Sequence, residues 1–66
     1  MKPLTAREVE RILRRNGFEL ARIHGSHHIW IRDGRAVPVP HHGNAPIKQG
    51  TLLAIFNGAG IPKPTR

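Results

Sequence analysis

Gly25-Ser26-His27-His28-Ile29-Trp30-Ile31-Arg32-Asp33-Gly34 reads as one strand held between two turns. His27 to Arg32 is rich in β-branched and aromatic residues, and Gly25-Ser26 and Asp33-Gly34 bound it on either side. Asp-Gly favours the left-handed dihedrals of a tight two-residue turn, so the strands it joins run antiparallel. Phe18 to His24 is then a preceding strand and Arg35 to Pro40 a following one. Pro38 and Pro40 have no N–H to give to a ladder. The third strand therefore lies at a sheet edge, or turns these positions toward solvent, and the prolines discourage unwanted pairing there.

Further out, the apolar period changes from that of a strand to that of a helix. Thr5 with Glu8 three residues on forms a capping box, each side chain satisfying a backbone N–H of the other residue. Ala6, Val9, Ile12 and Leu13 make an apolar stripe, with Arg7, Glu10, Arg11, Arg14 and Arg15 mostly outside it. Asn16-Gly17 ends this helix, with Arg14 and Arg15 near the negative end of its dipole. On the other side, His41 to Gly50 is a polar loop. Thr51 is expected to cap a second helix carrying Leu52, Leu53, Ile55, Phe56 and Ala59, with Gly58 and Gly60 ending it. Lys63-Pro64-Thr65-Arg66 is expected to be a frayed tail. The expected fold is α+β, in the order α-β-β-β-α, with a three-stranded antiparallel sheet and both helices on one face. Residues 1–66 are read as one domain, and the order of elements is that of double-stranded-RNA-binding domains.

Alternation along the central strand sorts its side chains. His27, Ile29 and Ile31 share one face, while His28, Trp30 and Arg32 share the other. At most one of the two histidines faces the helices. Were the isoleucine face the core, His27 would sit at its margin as an ordinary hydrogen-bonded residue. Trp30 has two uses open to it, stacking on an RNA base or packing and partner contact, and as the only tryptophan it is read as the second.

Eleven Lys and Arg stand against four Asp and Glu in 66 residues, a formal charge of +7. Such an excess makes polyanions the natural partners, nucleic acid foremost. A membrane is not expected as a partner, because the basic residues are scattered and no segment approaches the ~20 apolar residues of a span. With no cysteine there is neither a disulfide framework nor a thiolate metal site. A cytoplasmic protein is expected.

Several short pieces in register carry a resemblance. Glu8-Val9-Glu10-Arg11-Ile12-Leu13 leads to Asn16-Gly17-Phe18, followed by Gly25-Ser26-His27-His28-Ile29-Trp30, Val37-Pro38-Val39-Pro40 with His42, Lys48-Gln49-Gly50-Thr51-Leu52, and Ala59-Gly60-Ile61. Together they resemble the HicA family of toxins over nearly the whole chain. The resemblance implies a type II toxin that cleaves mRNA and is neutralised by a HicB-type antitoxin, with DNA touched only through that partner. It also implies that the histidine of the glycine-serine-histidine turn, His27, is catalytic.

The chemistry is accessible to these residue types. Metal-free RNA cleavage needs a base for the ribose 2′-OH, a cation for the crowded phosphorane and an acid for the leaving oxygen. Histidine suits either proton transfer, and a positioned acid or base typically contributes ~10²–10⁴-fold. His27 is the expected base or acid, and His42 is the candidate second proton carrier. Lys48, with Arg22 or Arg32, is placed to stabilise phosphate charge. Gly25, Ser26 and His28 complete the expected RNA contacts. No cofactor is expected. A metal site built from His24, His27, His28, His41 and His42 is set aside because the spacing fits no finger or helix-borne motif and no carboxylate or thiolate stands near them. The alternative function is a basic RNA-binding module without catalysis.

Overall fold

Thr5 sets the start of the first helix. Its backbone N–H donates to Glu8 Oε1 at 2.9 Å and its hydroxyl accepts from the Glu8 N–H at 3.3 Å, which closes the expected capping box. The computed structural model describes residues 2–62, so the tail from Lys63 to Arg66 lies outside the described residues. Its elements are α1 (Ala6–Arg15), β1 (Glu19–His24), β2 (His27–Arg32), β3 (Arg35–Pro40) and α2 (Gln49–Ala59). This is the order α-β-β-β-α read from the sequence. The arrangement is consistent with a double-stranded-RNA-binding-domain-like fold.

The sheet order is β1-β2-β3, antiparallel throughout. Asp33 and Gly34 have φ of 47° and 82°, both left-handed, as the turn between β2 and β3 requires. Pro38 and Pro40 lie opposite Ile29 and His27 on the edge strand β3. Ladder bonds in an antiparallel pair fall on alternate residue pairs, so both prolines direct their nitrogens to the free edge, where no N–H is needed.

Trp30 pairs with Val37 and His28 with Val39, so these four side chains share a face. Trp30, Val37 and Val39 are buried with Val9 and Leu13 of α1 and Leu52, Ile55 and Phe56 of α2, so both helices cover that one face. The isoleucine face is consequently the open one, with Ile31 45% exposed. Trp30 is packing, as read, and His28 is the member of the histidine pair that faces the helices.

Three local expectations need correction. Phe18 does not begin β1; it is buried, and its N–H returns to the Leu13 carbonyl at 3.0 Å, closing α1. Thr51 does not cap α2, because Ile47 is buried and its N–H is tied to the Leu4 carbonyl at 2.8 Å, which pins the chain just ahead of the helix. The helix therefore starts at Gln49 behind an extended Lys48, and Thr51 lies within its first turn. Gly58 is likewise inside α2, and Gly60 alone, at φ 70°, ends it.

The Glu8 carboxyl is held below its ordinary value of 4.5, chiefly by the hydrogen bond from the Thr5 backbone. A depressed carboxyl contributes stability that is full above its unfolded value and is lost as pH falls through the folded one. Thermal melting between pH 3 and 6 should show a shallower loss of stability on the acid side for Glu8→Gln than for the unsubstituted protein. Parallel acid limbs in the two proteins would contradict a charged capping box.

Candidate active site

The β1–β2 turn separates its two histidines onto the two faces of the sheet. Gly25, at φ 58°, takes the left-handed conformation that lets the chain reverse in two residues. His27 follows, opposite His24 on β1 and Pro40 on β3. It is exposed on the open face and has no side-chain partner among the described residues. Arg22 pairs with Ile29 two rows along and so shares that face.

His28 occupies a different setting. Its Nδ1 lies 2.6 Å from Glu10 Oε2, an oxygen that also accepts from Trp30 Nε1 at 2.9 Å. Glu10 Oε1 stands 3.5 Å from His41 Nε2, and the His28 and His41 rings stack with centroids 4.5 Å apart. His41 is held there by its N–H, which donates to the Ser26 carbonyl at 2.6 Å. A carboxylate only accepts, so the Nδ1 of His28 carries the proton in this contact. Neither Glu10 nor His41 was singled out from the sequence as a site residue. The available signal was the position of Glu10 between Val9 and Leu13, at the border of the apolar stripe, where a polar side chain is half buried and must find partners.

The premise that no carboxylate stands near the histidines is therefore wrong, because folding brings Glu10 to His28 across eighteen residues of chain. One atom each of Glu10, His28 and His41 lies within 4.8 Å of the others, close enough to be considered as metal ligands. The rings are nearly parallel, at 23°, which sets their nitrogens side by side. An ion shared by both would have to lie near both ring planes, and one imidazole would have to turn to allow it.

The remaining expected residues divide. His42 and Lys48 line one pocket of about 220 Å³, together with Pro40, Pro46 and Thr51, so the end of β3 connects them to the row that holds His27. Arg32 is elsewhere, five residues along β2 and hence about 17 Å from His27. Its guanidinium lies over the Phe18 ring at 4.7 Å and donates to the Asn16 carbonyl, closing the end of α1. A groove between α1 and the β1–β2 hairpin, lined by Arg7, Arg11, Arg14 and Leu20, lies beside His28.

Two helices on one face of a three-stranded antiparallel sheet make a small α+β protein whose fold is consistent with that of double-stranded-RNA-binding domains. The family model for the HicA toxin of bacterial toxin–antitoxin systems matches residues 6–61. The chain belongs to this family and is the toxin of a toxin–antitoxin system. No curated protein matches it by sequence. No helix among the described residues is long and apolar enough to cross a membrane.

Removing the Glu10 carboxylate leaves the Trp30 N–H and the His28 ring without their acceptor. Glu10→Ala should lower stability in urea unfolding by ~1–3 kcal/mol, and Glu10→Gln by less, because its amide oxygen still accepts. An unchanged midpoint for Glu10→Ala would show that the contact contributes nothing.

Proposed function

We propose that this toxin is a metal-independent endoribonuclease that cuts mRNA by histidine acid/base catalysis and is held inactive by a HicB-type antitoxin. The observation that carries the proposal is the setting of His27. It is an exposed imidazole without a side-chain partner, fixed on a short strand by a two-residue turn, in a family of toxins. An imidazole left free of internal hydrogen bonds keeps its nitrogens available for proton transfer.

In this scheme His27 removes the 2′-OH proton or protonates the leaving oxygen, and His42 takes the complementary step. Lys48 and Arg22 offset charge on the phosphorane, and the N–H groups of Gly25 and Ser26 contact the backbone of the RNA. Arg32, engaged with Phe18 and Asn16, supports the sheet instead of the phosphate. The antitoxin covers His27 and its basic surroundings with an acidic or extended segment, as charge complementarity favours. The toxin works in the cytoplasm as one domain and meets DNA only through its antitoxin.

A second assignment of the proton-transfer group has its own observation. His28 is oriented by the Glu10 carboxylate at 2.6 Å beside an arginine-lined groove. Side chains on opposite faces of a strand do not reach one phosphate, so one histidine of the pair acts and the other does not.

Induced expression of the unsubstituted chain should arrest growth and degrade mRNA, and His27→Ala should relieve both by ~10²-fold or more while its circular dichroism is unchanged. Arrest that survives His27→Ala but is relieved by His28→Asn, which keeps a donor for Glu10, would move the chemistry to His28. RNA binding with no cleavage product in any form would leave a binding module.

A further inference from the structure

Arg7, Arg11 and Arg14 recur at spacings of four and three along α1, which puts them on one stripe of the helix. That stripe forms one wall of the groove beside β1. The groove encloses about 290 Å³, and Glu10, Leu20, His28 and Trp30 complete its lining. No ion pair involves any of the three guanidinium groups among the described residues, although Arg11 is near enough to help hold the Glu8 carboxyl down. Arg14 is already ordered, with its guanidinium 5.1 Å from the centre of the Trp30 ring.

The strand opposite is shaped for the groove. Side chains alternate along a strand, so Leu20 and Ile23 would ordinarily lie on opposite faces. The irregularity between Leu20 and Arg22 inserts one extra residue, and Leu20 then pairs with Trp30 while Ile23 pairs with His28. Both therefore face the helix side, and they remain 41% and 57% exposed. Glu10 also lines the groove, but its carboxylate is half buried and already engaged by the Trp30 N–H and the His28 ring.

We infer that the groove between α1 and β1 is a binding site for the phosphodiester backbone of single-stranded RNA, with Arg7, Arg11 and Arg14 as its phosphate contacts. The inference rests on the ribonuclease reading and adds where the RNA strand is held. Guanidinium groups present paired donors that match phosphate oxygens, and three of them on one helix stripe follow successive phosphates of a strand laid along the helix. The apolar surface of Leu20 in the groove, continued by the exposed Ile23 on the same sheet face, suits the faces of unpaired bases, which a duplex would keep stacked inside itself. An acidic peptide is the competing occupant. It would need the same guanidinium groups, but its binding would leave affinity for RNA independent of them.

The test is fluorescence anisotropy with a 12-nucleotide single-stranded 2′-O-methyl oligoribonucleotide, which the protein cannot cut, titrated at several salt concentrations. Each of Arg7→Gln, Arg11→Gln and Arg14→Gln should weaken binding and make the slope of log K against log salt shallower by ~0.7, and the triple variant by ~2. Arg15→Gln, exposed on the last turn of α1 but outside the groove, removes the same charge and should change the slope little. Circular dichroism checks that Arg14→Gln, which loses its place over Trp30, remains folded; Arg7→Gln and Arg11→Gln carry the result if it does not. Equal effects from Arg15 and the groove arginines would overturn the site in favour of net charge. Unaltered slopes in the groove variants would overturn it in favour of a protein partner. Failure of the unsubstituted protein to bind the oligonucleotide would overturn the ribonuclease reading and the groove with it.

Discussion

A single carboxylate, that of Glu10, receives the Trp30 indole N–H and the His28 imidazole and stands 3.5 Å from His41. Helix, central strand and the loop after β3 meet at this group. Trp30 is among the largest fully buried side chains, and an indole N–H in an apolar core is costly without an acceptor. Glu10 supplies that acceptor from the border of the apolar stripe of α1. The same contact fixes which way β2 faces, because a one-residue slip would bury His27 and expel Trp30.

With the register fixed, the sheet divides the molecule chemically. The open face carries His27 and His24 in one row and Arg22 two rows along, and the helix face carries His28 against its carboxylate. For so short a chain the core is small, and a domain of this size holds only ~3–5 kcal/mol of net stability. Its polar groups are accordingly concentrated where they also order the fold. Arg32 closes α1 over Phe18, and Arg35 donates to the Gly58 carbonyl at 3.1 Å at the end of α2.

What was legible in the sequence was local. The capping box from Thr5 to Glu8, the Asp33-Gly34 turn and the edge prolines each act over two to four residues, and the elements fell where these signals put them. The alternation of β2 separated His27 from His28, although which face is the core had to wait for the pairing of Trp30 with Val37. Contacts that join distant segments were not legible. Glu10 meets His28 across eighteen residues, and Ile47 bonds to Leu4 across more than forty, displacing the start of α2 from Thr51. The extra residue in β1 was also hidden, since nothing in Leu20-Ala21-Arg22 marks a bulge. Of the candidate site, His42 and Lys48 do share a pocket, whereas Arg32 belongs to the packing at the other end of β2.

The central claim is that a histidine, acting without a metal, turns the RNA's own 2′-OH on the neighbouring phosphate. The most direct measurement places a single 2′-deoxy nucleotide at the cut position of an otherwise ordinary RNA and follows cleavage by the purified toxin in excess EDTA. Cleavage of the all-ribose strand should persist in EDTA, and the single 2′-deoxy substitution should abolish it. Loss of cleavage in EDTA, or equal cutting of both strands, would contradict the account.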